Sequence, residues 1–162
     1  MAVGGLSLDA LLSAWGGGNL EPFSPVARYY GTMDCVIYLQ QDLAYRADRV
    51  DGFLTLLWHP DCSELIGVKI KGFRWLFKRW QALCQGEEST VPDAAFVPLM
   101  KAIELALTAR LGEILAKVAE TDVSEKREEL LAEQARTEET YRQASGLVDS
   151  MTVDASGLLL AA

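Results

Sequence analysis

Between Leu65 and Cys84 the apolar residues change their spacing, and that change constrains the fold more than any other feature of the chain. Val68 and Ile70 alternate with Lys69 and Lys71, the period-two pattern of a strand with one buried face. Phe73, Leu76, Phe77, Trp80, Leu83 and Cys84 then recur every third or fourth position, with Arg74, Lys78, Gln81 and Gln85 opposite them. That is the stripe of an amphipathic helix. A strand that runs straight into such a helix must lay the helix on its own sheet, which predicts an α+β fold.

The segment before it reads as strands. Val36 to Leu39 is β-branched and aromatic, Tyr45 to Val50 is a plausible further strand, and Phe53 to Trp58 follows the Asp51-Gly52 turn signal. Pro60 to Ser63 is another turn before Leu65 to Lys71. The short connections predict an antiparallel meander of three or four strands, because parallel pairing needs long crossovers.

The remainder is mostly helical. Phe96, Met100, Ile103, Leu107, Leu111, Ile114 and Val118 step by three or four along a long helix expected from Asp93 to Thr121. A second, expected from Ser124 to Ser145, carries the more polar seam Arg127, Leu130, Gln134, Thr137 and Tyr141. The short Asp122-Val123 link makes them an antiparallel hairpin. At the N-terminus, Leu8, Leu11, Leu12 and Trp15 form one face of a short helix that Gly16-Gly17-Gly18 ends, and Gly16 to Pro25 reads as a linker or arm. The expected organisation is therefore an arm over 1–33, a meander plus amphipathic helix over 34–86, a helical hairpin over 87–146 and an apolar tail over 147–162.

Composition excludes several classes. With 15 Lys and Arg against 23 Asp and Glu, the net charge of -8 argues against broad coating of nucleic acid. The apolar runs are too short for a transmembrane helix, and Met1 to Gly5 lacks the basic start of a secretory signal. Three dispersed cysteines make neither a disulfide framework nor a four-thiolate zinc site. A cytoplasmic location is expected.

Three further stretches, Asp34-Cys35-Val36-Ile37-Tyr38-Leu39, Val50-Asp51-Gly52-Phe53-Leu54 and Leu65-Ile66-Gly67-Val68-Lys69-Ile70, resemble a small bacterial β-meander domain family of unknown function. The resemblance covers residues 34–70, about a quarter of the chain. It implies a three- or four-stranded meander and brings no catalytic residue. The chain departs from the family at Cys62-Ser63, where Gly is usual, and at Lys69, where an acidic residue is common.

Candidate chemistry is sparse. Lys69, Lys71, Arg74, Lys78 and Arg79 interleave with Phe73, Trp75, Phe77 and Trp80, a mixture that suits single-stranded nucleic acid. The regular stripe favours packing instead, which leaves Trp75 as the aromatic off the buried face and a contact candidate. His59 and Cys62 stand three apart, half of a metal site at most, and Pro60-Asp61 between them is ordinary turn chemistry. The glutamates of the second long helix alternate with Lys126, Arg127, Arg136 and Arg142 as on a solvated face. No phosphate-binding glycine loop or nucleophile motif occurs, so no cofactor and no catalytic or metal residue is assigned.

The hairpin cannot bury its own strong seam fully, so the sheet, another chain or both must complete it. The sequence therefore predicts a non-enzymatic assembly or interaction protein, homo-oligomeric, with an unknown protein partner, meeting others through Phe96, Met100, Ile103, Leu107, Leu111, Ile114, Val118 and Trp75. The alternatives are a nucleic-acid-associated regulator that uses Lys71, Arg74, Lys78 and Arg79, and an acidic phage-type inhibitor.

Overall fold

The computed structural model describes residues 22–85 and 96–159. The expected Ser7 to Trp15 helix, the polar break from Gly86 to Pro92 and the last three residues lie outside them.

The fold is α+β, but the sheet is larger than a meander and ordered differently. Strands β1 (Ala27–Tyr30), β2 (Cys35–Leu39), β3 (Arg46–Arg49), β4 (Leu54–Trp58), β5 (Leu65–Lys71), β6 (Phe96–Pro98) and β7 (Thr152–Asp154) form one sheet in the order β3-β4-β5-β2-β1-β7-β6. All neighbours pair antiparallel except β1 with β7. Only β3, β4 and β5 make a meander; β2 lies beyond β5, so β2 to β5 take a Greek-key order. The expected three or four antiparallel strands become seven in a mixed sheet because β1, β6 and β7 are four residues or fewer. Strands that short carry no readable period and exist through partners remote in sequence.

The helices are α1 (Phe73–Gln85), α2 (Leu99–Glu120), α3 (Ser124–Leu147) and the single turn α4 (Ser156–Leu159). Gly72, at φ 67, makes the corner between β5 and α1 in the left-handed region that glycine enters without strain. Asp34, at φ 46, caps that corner from forty residues away. Its backbone carbonyl accepts the Gly72 and Phe73 N–H groups, and its carboxylate accepts the Arg74 N–H at 2.9 Å. The helix expected from Asp93 starts instead at Leu99, after Pro98 at its N-cap, and Phe96 lies on a strand. β6 and β7 flank the helical hairpin and pair with each other, and the Leu99 N–H donates to the Met151 carbonyl, so both ends of the hairpin are tied to the sheet.

One face of the sheet carries the core. Val36, Tyr38, Leu54, Leu56, Val68 and Ile70 pack with Phe73, Leu76, Phe77 and Trp80 of α1, and with Leu99, Ala102, Ile103 and Ala106 of α2. Tyr141 and Ala144 of α3, with Val148, Val153 and Ala155 after it, complete the same core. The Phe73, Phe77 and Trp80 rings stack in succession. The opposite, outer face carries Cys35, Ile37 and Leu39, registered against Lys71, Lys69 and Gly67.

The β4–β5 ladder shifts register at Leu57/Trp58, and Gly67 lies at that irregularity. A Cβ there would run into the Tyr38 carbonyl oxygen and come within 2.9 Å of Leu39 Cδ2. Because the obstacle is partly backbone, it cannot swing aside. Gly67→Ala should therefore cost about 1–3 kcal/mol, measured by urea unfolding, whereas Gly52→Ala, which meets nothing within 4 Å, should stay close to wild type.

Candidate functional site

Trp75 stands on the side of α1 away from the core and is 42% exposed. Two side chains pack against it. The Phe53 ring lies 5.7 Å away between centroids, and the Arg79 guanidinium sits 4.8 Å from the Trp75 centroid. These two contacts restrain a large amphipathic ring at the surface, the property of an interface anchor. Trp75 and Leu83 of α1 and Leu105 of α2 line a groove of about 780 Å³ between the two helices. Ala82, Ala109 and Gly112 are among its other lining residues, and such small side chains allow a helix backbone to approach closely. Leu83, expected in the buried stripe, is 62% exposed because it falls at the edge of that stripe.

The basic run is not gathered into one patch. Lys69 and Lys71 belong to the outer face of β5, since Val68 and Ile70 between them face the core. Arg74, Lys78 and Arg79 lie on α1, against the inner face. Arg74 is engaged within the chain: its Nε donates to the Tyr29 hydroxyl at 3.2 Å, its Nη2 donates to the Gly31 carbonyl, and Asp34 lies 4.0 Å away. Burial raises the Tyr29 phenol above its ordinary value, partly offset by that Arg74 bond.

The apolar seam of α2 divides. Ile103 and Ile114 are buried within the chain, and Leu107 packs against the core. These three are covered within the chain, so among the interaction candidates of the seam they are not free to meet a partner. Met100, Leu111 and Val118 are half-buried, and Phe96 is exposed on β6.

A polar junction that sequence reasoning missed joins the hairpin to the sheet. Asp51, read only as a turn residue, accepts the Phe53 and Leu54 N–H groups at 2.8 Å with Oδ1 and the Tyr141 hydroxyl at 2.7 Å with Oδ2. Beside it Arg110 donates to Glu113 at 2.9 Å and to Glu133 at 2.6 Å, bridging α2 and α3. A cleft of about 200 Å³ lies among Asp51, Arg110, Glu133, Arg136 and Thr137. The available signal was Tyr141 itself: a tyrosine on a buried seam needs a partner for its hydroxyl. Burial first, and then the bond to Asp51, push the Tyr141 phenol well above its ordinary value. A neutral phenol donating to the carboxylate that also holds the Phe53 and Leu54 N–H groups pins α3 to the β3–β4 turn.

His59 Nδ1 accepts the Asp61 N–H at 3.1 Å, closing its turn, while Cys62 is exposed. Cys35 is buried, and that burial raises its thiol above the usual range. Among the described residues no three His, Cys, Asp or Glu side chains group as metal ligands, and no helix is long and apolar enough to cross a membrane. Comparison of the chain with protein-family models, curated proteins and solved structures finds no match.

The Tyr141 phenol gives a pH prediction whose sign is fixed. The unfolded phenol ionises near 10, while the folded one must stay neutral to keep its place. Its stabilisation is complete below pH 10 and is lost as pH rises toward the folded value. Above pH 10, wild type should lose about 1.4 kcal/mol per pH unit more than Tyr141→Phe, as measured by denaturant midpoints. At neutral pH the same variant should be about 1–3 kcal/mol less stable, since the Asp51 carboxylate loses a buried donor.

Proposed function

We propose that the protein is a non-enzymatic interaction module that works as a homo-oligomer, its contact surface being the groove between α1 and α2. The observation that carries this reading is Trp75, a clamped and exposed tryptophan at the lip of an apolar groove. The occupant is α3 of a second copy. The α1 side of the groove carries Arg79 and its α2 side Glu113, whereas the exposed side of α3 carries Leu131, Ala132 and Ala135 between Glu128 and Glu139. An apolar strip flanked by carboxylates complements the α1 side of that small-residue groove, where Arg79 stands. Two such seats, related by a two-fold axis, close a dimer without exposing a further groove.

A cytoplasmic setting belongs to the same reading, supported by three free cysteines. The nucleic-acid reading draws less support, because Lys71 lies on the sheet face opposite α1 and Arg74 is engaged by Tyr29 and Gly31.

Light scattering tests this. The wild type should weigh as a dimer at micromolar concentration, and raised salt should lower that mass because the flanking charges assist association. Trp75→Ala combined with Leu83→Glu should give a folded monomer, since both side chains are exposed. A wild-type monomer at high micromolar concentration would rule the reading out.

A further inference from the structure

On the outer face of the sheet this acidic chain gathers cations. The pairing registers place Arg28, Ile37, Lys69, Thr55 and Arg49 in a single row across β1, β2, β5, β4 and β3. Their neighbours along the strands, Val36, Leu56 and Val68 among them, face the core, so the row faces outward. Strands stand about 4.8 Å apart, so Arg28, Lys69 and Arg49, each two strands from the next, are spaced at about 10 Å. Lys71 lies on the same face about 7 Å from Lys69 along β5. Arg28 and Arg49 are exposed, and Lys69 and Lys71 are half-buried. The one acidic residue in these five strands, Asp48, pairs with Leu56 of the core and so belongs to the other face. Among the described residues none of the four cations makes an ion pair. Arg49 donates its Nε to the Asp51 carbonyl at 3.1 Å, a bond that does not use its terminal amino groups.

The row ends in an aromatic cleft. Arg28 lines a space of about 310 Å³ together with Phe23 and Tyr30, which are 44% and 40% exposed, and with Ile37 and Leu39. Exposed rings and apolar side chains beside a guanidinium suit a nucleobase whose phosphate is held by the cations. An unstacked base can reach such rings, whereas a base inside a duplex cannot. Asp42 also borders the cleft, and its carboxylate keeps phosphate out of it. An acidic protein segment would satisfy the cations, but it would leave the rings uncovered and meet repulsion from Asp42.

We propose that the outer face of the sheet binds single-stranded nucleic acid, with phosphates on Arg28, Lys69, Lys71 and Arg49 and a base against Phe23 and Tyr30. Arg74, Lys78 and Arg79 take no part, because α1 packs on the inner face. The net charge of -8 repels phosphate elsewhere and confines the strand to this face. The groove between α1 and α2 lies on the other side of the sheet, so the site is independent of self-association.

The test is fluorescence anisotropy of a labelled oligo(dT) of about twelve nucleotides, titrated with the full-length chain at several salt concentrations. Four phosphate contacts, at about -0.7 each, predict a slope of log affinity on log salt of about -2.8. Arg28→Gln with Arg49→Gln, both exposed, should bring that slope to about -1.4 in a chain whose near-ultraviolet circular dichroism is native. Phe23→Ala with Tyr30→Ala should weaken binding roughly tenfold or more and leave the slope unchanged. Lys78→Gln, on α1, should alter neither. Oligo(U) of equal length should compete as well as oligo(dT), because phosphates and base faces are common to both. Trp75→Ala with Leu83→Glu should bind with wild-type affinity per chain, so that loss of the dimer and loss of this site are read separately. The proposal is overturned by absence of binding at high micromolar chain in about 50 mM salt, or by an unchanged slope in the Arg28 and Arg49 variant. Displacement of the oligonucleotide by polyglutamate at equal charge would also overturn it, since the occupant would then be an acidic protein.

Discussion

The corner at Gly72 governs the rest of the structure. β5 delivers Val68 and Ile70 to the inner face, and a single left-handed residue then turns the chain so that Phe73, Leu76, Phe77 and Trp80 fall back onto the same face. Asp34 fixes the turn by taking three backbone N–H groups, one of them through its carboxylate, so the start of α1 is set by the β1–β2 connection. An isolated helix of thirteen residues would be marginal in water; here its apolar stripe is covered as soon as it forms. With α1 in place, the sheet and α1 together offer α2 a surface, and Leu99, Ala102, Ile103 and Ala106 complete the layer.

The helical hairpin is attached at both ends by different means. At its base, β6 and β7 pair with each other, and β7 pairs in parallel with β1. Along its length, the Tyr141 hydroxyl reaches Asp51 in the β3–β4 turn, and Arg110 ties α2 to Glu133 of α3. These bonds compensate for the polar seam of α3, whose apolar content alone would hold it weakly. They also fix the position of α2 beside α1, and so the width of the groove that Trp75 borders.

Much of this was legible in the residues. The change of period at Gly72, the bounds of β5 and α1, and the hairpin all follow from spacing, because each is set by a long segment with its own apolar face. What spacing does not show is pairing between remote segments. β1 looks like an arm because four residues after Pro25 have no period, and Phe96 to Pro98 looks like the start of a helix because Phe96 falls in step with Met100 and Ile103. Both become strands through partners elsewhere, β2 for the first and β7 for the second. Trp75 was identified because it breaks the α1 stripe. The Asp51–Tyr141 bond, ninety residues apart in sequence, leaves no local trace, and the division of the α2 seam between core and surface depends on where the sheet ends.

In the proposed dimer, α3 of one copy seats between α1 and α2 of another. Amide hydrogen exchange at two protein concentrations tests it most directly. Raising the concentration should slow exchange in two places together: in α1 and α2 where they border the groove, and in α3 around Leu131 to Ala135. Amides of the inner strands should not respond. Exchange that is identical at both concentrations throughout α1, α2 and α3 would contradict it.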